Sequence, residues 1–82
     1  MILIVAVNEN HFNHFCREVN LPRDKSIVRY VYHSDLLRGC AGRKDLSILL
    51  LPQWYLNKTS EEVNKIESLV NEHWSRLRGG AG

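Results

Sequence analysis

The chain has 82 residues, 44% of them hydrophobic and 24% charged, with a formal net charge of +2. That length allows one domain burying roughly 60% of the surface its unfolded chain exposes, so a partner, a second copy or dense packing is expected to support it. The composition is too apolar for disorder, and the charge excess lacks the clustered basic face of a nucleic-acid binder.

Cys16 and Cys40 lie far apart and form neither a disulfide framework nor a zinc-ligand pair, which points to a reducing, cytoplasmic compartment. Residues 2–7 form a continuous β-branched and aliphatic run. The run lacks a basic flank and is too short for a signal peptide or a membrane span, so a soluble protein is expected. It predicts instead a strand covered on both faces. Asn8 suits the N-cap of a following helix and Glu9 its first turn, where the helix dipole favours an anion. Phe12, Phe15, Cys16 and Val19 recur at helical spacing and predict a helix over residues 9–19 with Cys16 in the core. Asn20 ends it, and Leu21-Pro22 turns the chain extended into a solvated connector.

Residues 27–32 are strongly β in composition, but Arg29 interrupts their apolar character, which assigns this strand to a sheet edge. Ser34 as N-cap, Asp35 in the first turn and Gly39 as a left-handed stop predict a single helical turn. A short basic loop, 40–44, follows. The apolar run 48–51 predicts a third strand buried on both faces, ending at Pro52 and delivering Gln53, Trp54 and Tyr55 as a loop. Thr59 and Glu62 have the spacing of a capping box, opening a helix that extends to about Leu77. Val63, Ile66, Leu69, Val70, Trp74 and Leu77 make its apolar stripe, while Glu61/Lys65 and Glu72/Arg76 are favourable i,i+4 pairs.

Residues 1–78 therefore read as one α/β domain and 79–82 as a flexible tail. The order β-α-β-short α-β-α specifies a minimal Rossmann-like domain with a three-stranded parallel sheet. Strand two lies at an edge, and the orders 2-1-3 and 2-3-1 both satisfy that.

Open parallel sheets bind ligands beyond the carboxyl ends of their strands. Those ends carry Asn8, Glu9, Asn10 and His11, then His33, Ser34, Asp35 and Arg38, then Gln53, Trp54 and Tyr55. No glycine-rich turn follows the first strand, no Walker lysine is present, and Glu9 opposes a bound phosphate. His11 and His14 lack a third metal ligand, and His33 with Asp35 is weak spacing for an acid–base pair. Cys40 sits in a basic loop without a linked general base. Arg38, Arg43 and Lys44 read as a solvated surface. No catalytic residue, metal or cofactor is expected. Trp54 and Tyr55 remain: tryptophan, tyrosine and arginine are the types enriched at binding hot spots, and the alternative for Trp54 is that it folds back over the sheet end and caps the core.

The segment from Arg29-Tyr30-Val31 through Asp35-Leu36-Leu37-Arg38-Gly39 to Leu51-Pro52-Gln53-Trp54 resembles small phage-encoded Rossmann-like proteins of unassigned function. The likeness lies in length, in the Leu-Arg-Gly turn and in a third strand that ends with proline and tryptophan. The stretch also looks like the Walker B region of terminase-type ATPases, but Pro52 and Gln53 replace the acidic metal and base residues. The resemblance implies a phage accessory protein without an active site.

The combined expectation is a non-enzymatic binding module, encoded by a phage or mobile element, that engages a host or phage protein through Gln53, Trp54, Tyr55 and Arg38. The alternative is a small-molecule or nucleotide-binding domain whose crevice is lined by Asn8, Asn10, His11, His33 and Asp35. Homo-oligomerisation through the C-terminal helix, with Trp74 either in the core or at a subunit contact, is a third possibility. Neither nucleic acid nor membrane is an expected partner.

Overall fold

The protein is described by a computed structural model covering residues 1–22 and 24–79. Its elements are β1 (Ile2–Val5), α1 (Glu9–Glu18), β2 (Val28–Val31), a 3₁₀ turn (Ser34–Leu37), β3 (Ser47–Leu50) and α2 (Ser60–Gly79). The three strands are parallel in the order β2-β1-β3, which decides between the two arrangements the sequence allows and places strand two at an edge. Ile2 is in register with both Val28 and Ser47.

Alternation along β1 divides the interior into two layers. Leu3 and Val5 face a core with Val31, Leu37, Ile48, Trp54, Ile66 and Val70, beneath α2 and the 3₁₀ turn. Ile4 and Ala6 face the other way, into a core with Phe12, Cys16, Val28 and Leu51 beneath α1. The first strand is thus the central one, covered on both faces as its sequence predicts. Its pairing stops at Val5 rather than residue 7, because β2 and β3 leave the ladder at Val31 and Leu50.

The third strand departs from expectation. It is the other edge of the sheet, and although Ile48 and Leu51 are buried, Leu49 is 40% exposed. Helix α1 is ten residues long, and its core draws on β1, β2 and Leu51 without enclosing Leu49. An apolar run therefore did not mean two covered faces.

Local signals set the helix ends. The Asn8 side chain accepts the His11 amide at 2.8 Å, capping α1. At the far end Asn20 adopts φ 59°, with Leu21 N–H donating to Cys16 O at 2.8 Å and Asn20 N–H to Arg17 O at 3.3 Å, the paired bonds of a Schellman motif. Leu21 packs into the same core as Cys16, completing it. Gly39 takes φ 74°, the left-handed stop its position suggests. The cap of the 3₁₀ turn is His33 rather than Ser34: its Nδ1 accepts the Asp35 amide at 3.1 Å, while Ser34 is buried.

Helix α2 opens with half a capping box. Thr59 Oγ1 accepts the Glu62 amide at 3.2 Å, but the Glu62 carboxylate does not return to Thr59. It accepts the Ser34 N–H at 2.6 Å instead, tying α2 to the 3₁₀ turn. The Glu61/Lys65 and Glu72/Arg76 pairs form at 3.3 and 2.6 Å. The buried stripe follows its sequence reading at Ile66 and Val70, with Val63 and Leu69 packed against the same core, but His73 lies inside and Trp74 is exposed. Helix α2 continues through Arg78 to Gly79, so the helical part of the chain overruns the proposed tail, whose residues 80–82 lie outside the described residues. No helix of the described residues is long and apolar enough to cross a membrane.

Candidate functional site

The loop after β3 is a run of turns held by its own backbone. Trp54 N–H donates to Leu51 O at 3.2 Å, Leu56 N–H to Gln53 O at 3.1 Å and Lys58 N–H to Tyr55 O at 3.1 Å. Pro52 stops the strand, since it has no N–H for a ladder. Gln53 reverses the chain at φ 62°, a conformation disfavoured for a residue with a Cβ.

That reversal separates the two aromatics. Trp54 is only 7% exposed and belongs to the core under α2, whereas Tyr55 is 49% and Leu56 62% exposed. The rings meet edge to face, 5.9 Å apart at 84°. Trp54 is therefore corrected from a contact residue to an anchor: burying its large apolar surface holds the loop that displays Tyr55. Leu56, unremarkable in the sequence, joins Tyr55 at the surface. Gln53 is exposed beside them.

Lys58 completes the loop and was not singled out by any motif. Its ammonium donates to Ala6 O at 3.0 Å and to Trp54 O at 2.9 Å, and lies 6.0 Å from the Trp54 ring centre. One side chain thus fastens the end of β1 to the loop after β3. Partial burial holds its pKa below the ordinary lysine value, opposed by the charge of Glu62.

A second group gathers around the 3₁₀ turn. His33 Nε2 lies 3.9 Å from Glu62 Oε2, His33 Nδ1 3.5 Å from Asp35 Oδ2, and Arg38 Nε 3.2 Å from Asp35 Oδ1. The hydrogen bond from the Ser34 amide is the main cause holding the Glu62 carboxyl below its usual value; the backbone donor favours the ionised form. Arg38 is exposed but turned toward Asp35, so the structure places it in this group rather than in the aromatic loop.

The first-strand residues do other work. Asn8 is occupied as a cap, Asn10 is exposed, and His14 pairs with Glu18 at 2.9 Å. His11 Nδ1 is buried without a hydrogen-bond partner among the described residues. At the carboxyl ends of the strands the Lys58 brace joins Ala6 to the loop after β3. Surface depressions lie between the 3₁₀ turn and α2, lined by Ser34, Arg38, Glu61 and Lys65, and along β2. Among the described residues no cluster of three or more His, Cys, Asp or Glu side chains is arranged to hold a metal ion.

The deepest polar side chain missed by sequence reasoning is His73. It is fully buried, with Nε2 3.0 Å from Leu46 O, while Nδ1 lies 3.2 Å from Gly42 N and 2.9 Å from Cys40 O. The tautomer protonated at Nε2 donates to Leu46 and accepts from Gly42. His73 clamps the 40–46 loop onto α2, and the apolar stripe on either side of it was the available signal. Cys40, in that loop, is buried and directs its thiol toward the Leu36 and Arg38 carbonyls.

Comparison with protein-family models, curated proteins and solved structures finds no match to this chain.

Proposed function

We propose that this chain is a non-enzymatic binding module, a minimal Rossmann-like domain that engages a partner protein through the loop after β3. The single observation carrying this reading is the division of labour in that loop. Trp54 and Lys58 immobilise it from beneath, and an adjacent exposed pair, Tyr55 and Leu56, projects from it. An apolar pair on a loop already held in one conformation loses little entropy on binding, which favours association. Tyrosine suits such a position because its ring buries apolar area while its hydroxyl finds a polar partner. Gln53 supplies an adjacent amide. An accessory role in a phage or mobile element, acting in the host cytoplasm, follows from the resemblance of residues 29–54.

The test replaces Tyr55 with a photo-crosslinking phenylalanine analogue in cells that express the chain. A discrete crosslinked partner is expected from position 55, lost when Leu56→Ala is added, and absent when the same probe occupies exposed Glu67 on α2. Equal crosslinking from both positions, or crosslinking indifferent to Leu56→Ala, overturns the reading.

A further inference from the structure

Strand β2 has no neighbouring strand on its outer side among the described residues. The N–H of Ile2 donates to Ile27 O at 2.8 Å, which turns the backbone of residues 27, 29 and 31 toward β1. The alternate residues turn outward. Val28 N–H is taken by Asp24 O at 2.9 Å, so the open ladder consists of the Val28 carbonyl and both backbone groups of Tyr30. Backbone groups in that position are a template for another strand.

This edge is flanked by a depression on each face of the sheet. On the α1 side, a cavity of about 720 Å³ has the stacked rings of Phe12 and Tyr30, 5.4 Å apart, in its lining, with Glu9, Lys25 and Arg29 around them. On the α2 side, a cavity of about 170 Å³ is lined by Val31, Leu36 and Leu46, with Arg29 and Arg43 beside them. Successive side chains of an added strand point to opposite faces, one set entering each depression. On the α1 face Glu9 offsets Lys25. On the α2 face Arg29 and Arg43 meet, among the described residues, only the carboxylate of Asp45, 2.7 Å from Arg43, while Arg29 Nε donates to the Lys25 carbonyl at 3.1 Å. The α2 face of the edge is therefore basic. An acidic strand would be attracted to that face.

We infer that the outer edge of β2 is a second interaction surface, which takes an extended peptide of alternating apolar and acidic residues as a fourth strand. Apolar side chains lie over Phe12 and Tyr30, acidic ones meet Arg29 on the opposite face, and Tyr30 supplies the ladder hydrogen bonds. This surface is separate from the Tyr55 loop, since β1 lies between β2 and β3.

The probe is a fluorescein-labelled peptide of about eight residues alternating valine and glutamate, long enough for a typical strand. Controls are the valine–lysine peptide and a valine–glutamate peptide N-methylated at alternate positions to remove ladder donors. Saturable anisotropy is expected with the valine–glutamate peptide alone. Arg29→Glu, an exposed substitution whose fold is checked by circular dichroism, should weaken it roughly tenfold or more, while Tyr55→Ala leaves it unchanged. The Tyr30 amide should become protected from hydrogen exchange on binding. No binding at millimolar peptide, as for an edge whose charges merely guard against aggregation, would overturn the inference. So would equal affinity for the lysine or N-methylated peptide, indifference to Arg29→Glu, or a dimer through β2 that excludes the peptide.

Discussion

His73 satisfies backbone groups of the 40–46 loop that have no strand or helix to pair with, and it does so from full burial. His73→Phe keeps the ring but strands buried donors and acceptors. It should lower unfolding stability by about 3 kcal/mol in urea titrations, with His73→Gln recovering part of the loss. The same loop discriminates two glycines. A Cβ at Gly39 meets open space at φ 74°, so Gly39→Ala should cost only the left-handed penalty of about 1–2 kcal/mol. At Gly42, φ 78°, a Cβ would sit 3.0 Å from Arg76 Cβ, and Gly42→Ala should destabilise more in the same titration. Glu62 ties stability to pH. Its folded pKa lies below the ordinary 4.5, so the Ser34 tie is fully present above that value and is lost as pH falls through the folded one. Thermal melts from neutral to acid pH should therefore fall less steeply for Glu62→Gln than for the natural chain.

The loop after β3 shows why adjacent residues of similar type take opposite roles. A left-handed residue at Gln53 sends Trp54 inward and Tyr55 outward. Trp54→Ala should cost about 3–5 kcal/mol, the range for emptying a buried aromatic site. Tyr55→Ala with Leu56→Ala should leave stability within about 0.5 kcal/mol and remove partner binding. Calorimetry alongside the crosslinking assay separates the two outcomes. On α2 the period and the phase were legible, since Val63, Ile66, Leu69 and Val70 all pack on the core. Only at 73 and 74 does a buried histidine beside an exposed tryptophan invert the hydropathy ranking, because the His73 ring meets the Gly42 amide and the Leu46 carbonyl.

At the scale of the molecule, a three-stranded sheet leaves two edges for every central strand, and each of the two surfaces proposed here lies beside one of them. Because β1 separates them, Arg29→Glu and Tyr55→Ala should act independently. Their effects on stability are expected to add within about 0.5 kcal/mol in a double-mutant cycle, and each should impair only its own binding assay. A deviation beyond that margin would mean that the sheet transmits strain between its edges.

The sequence by itself determined the order of elements, the parallel sheet, the edge position of β2, the Asn8 cap, the Asn20 and Gly39 stops and the burial of Cys16. Each is local: a run, a period or a cap is complete within a few residues, and its physical cause acts over the same span. What only the tertiary structure decided involves distant partners. Residues 47 and 48 could not reveal that α1 would leave Leu49 uncovered. Glu62 could not announce Ser34, nor Lys58 the Ala6 carbonyl, nor His73 the loop at 40–46. Hydrogen bonds across tens of residues depend on which faces the fold brings together, and that is a property of packing rather than of any window of the chain.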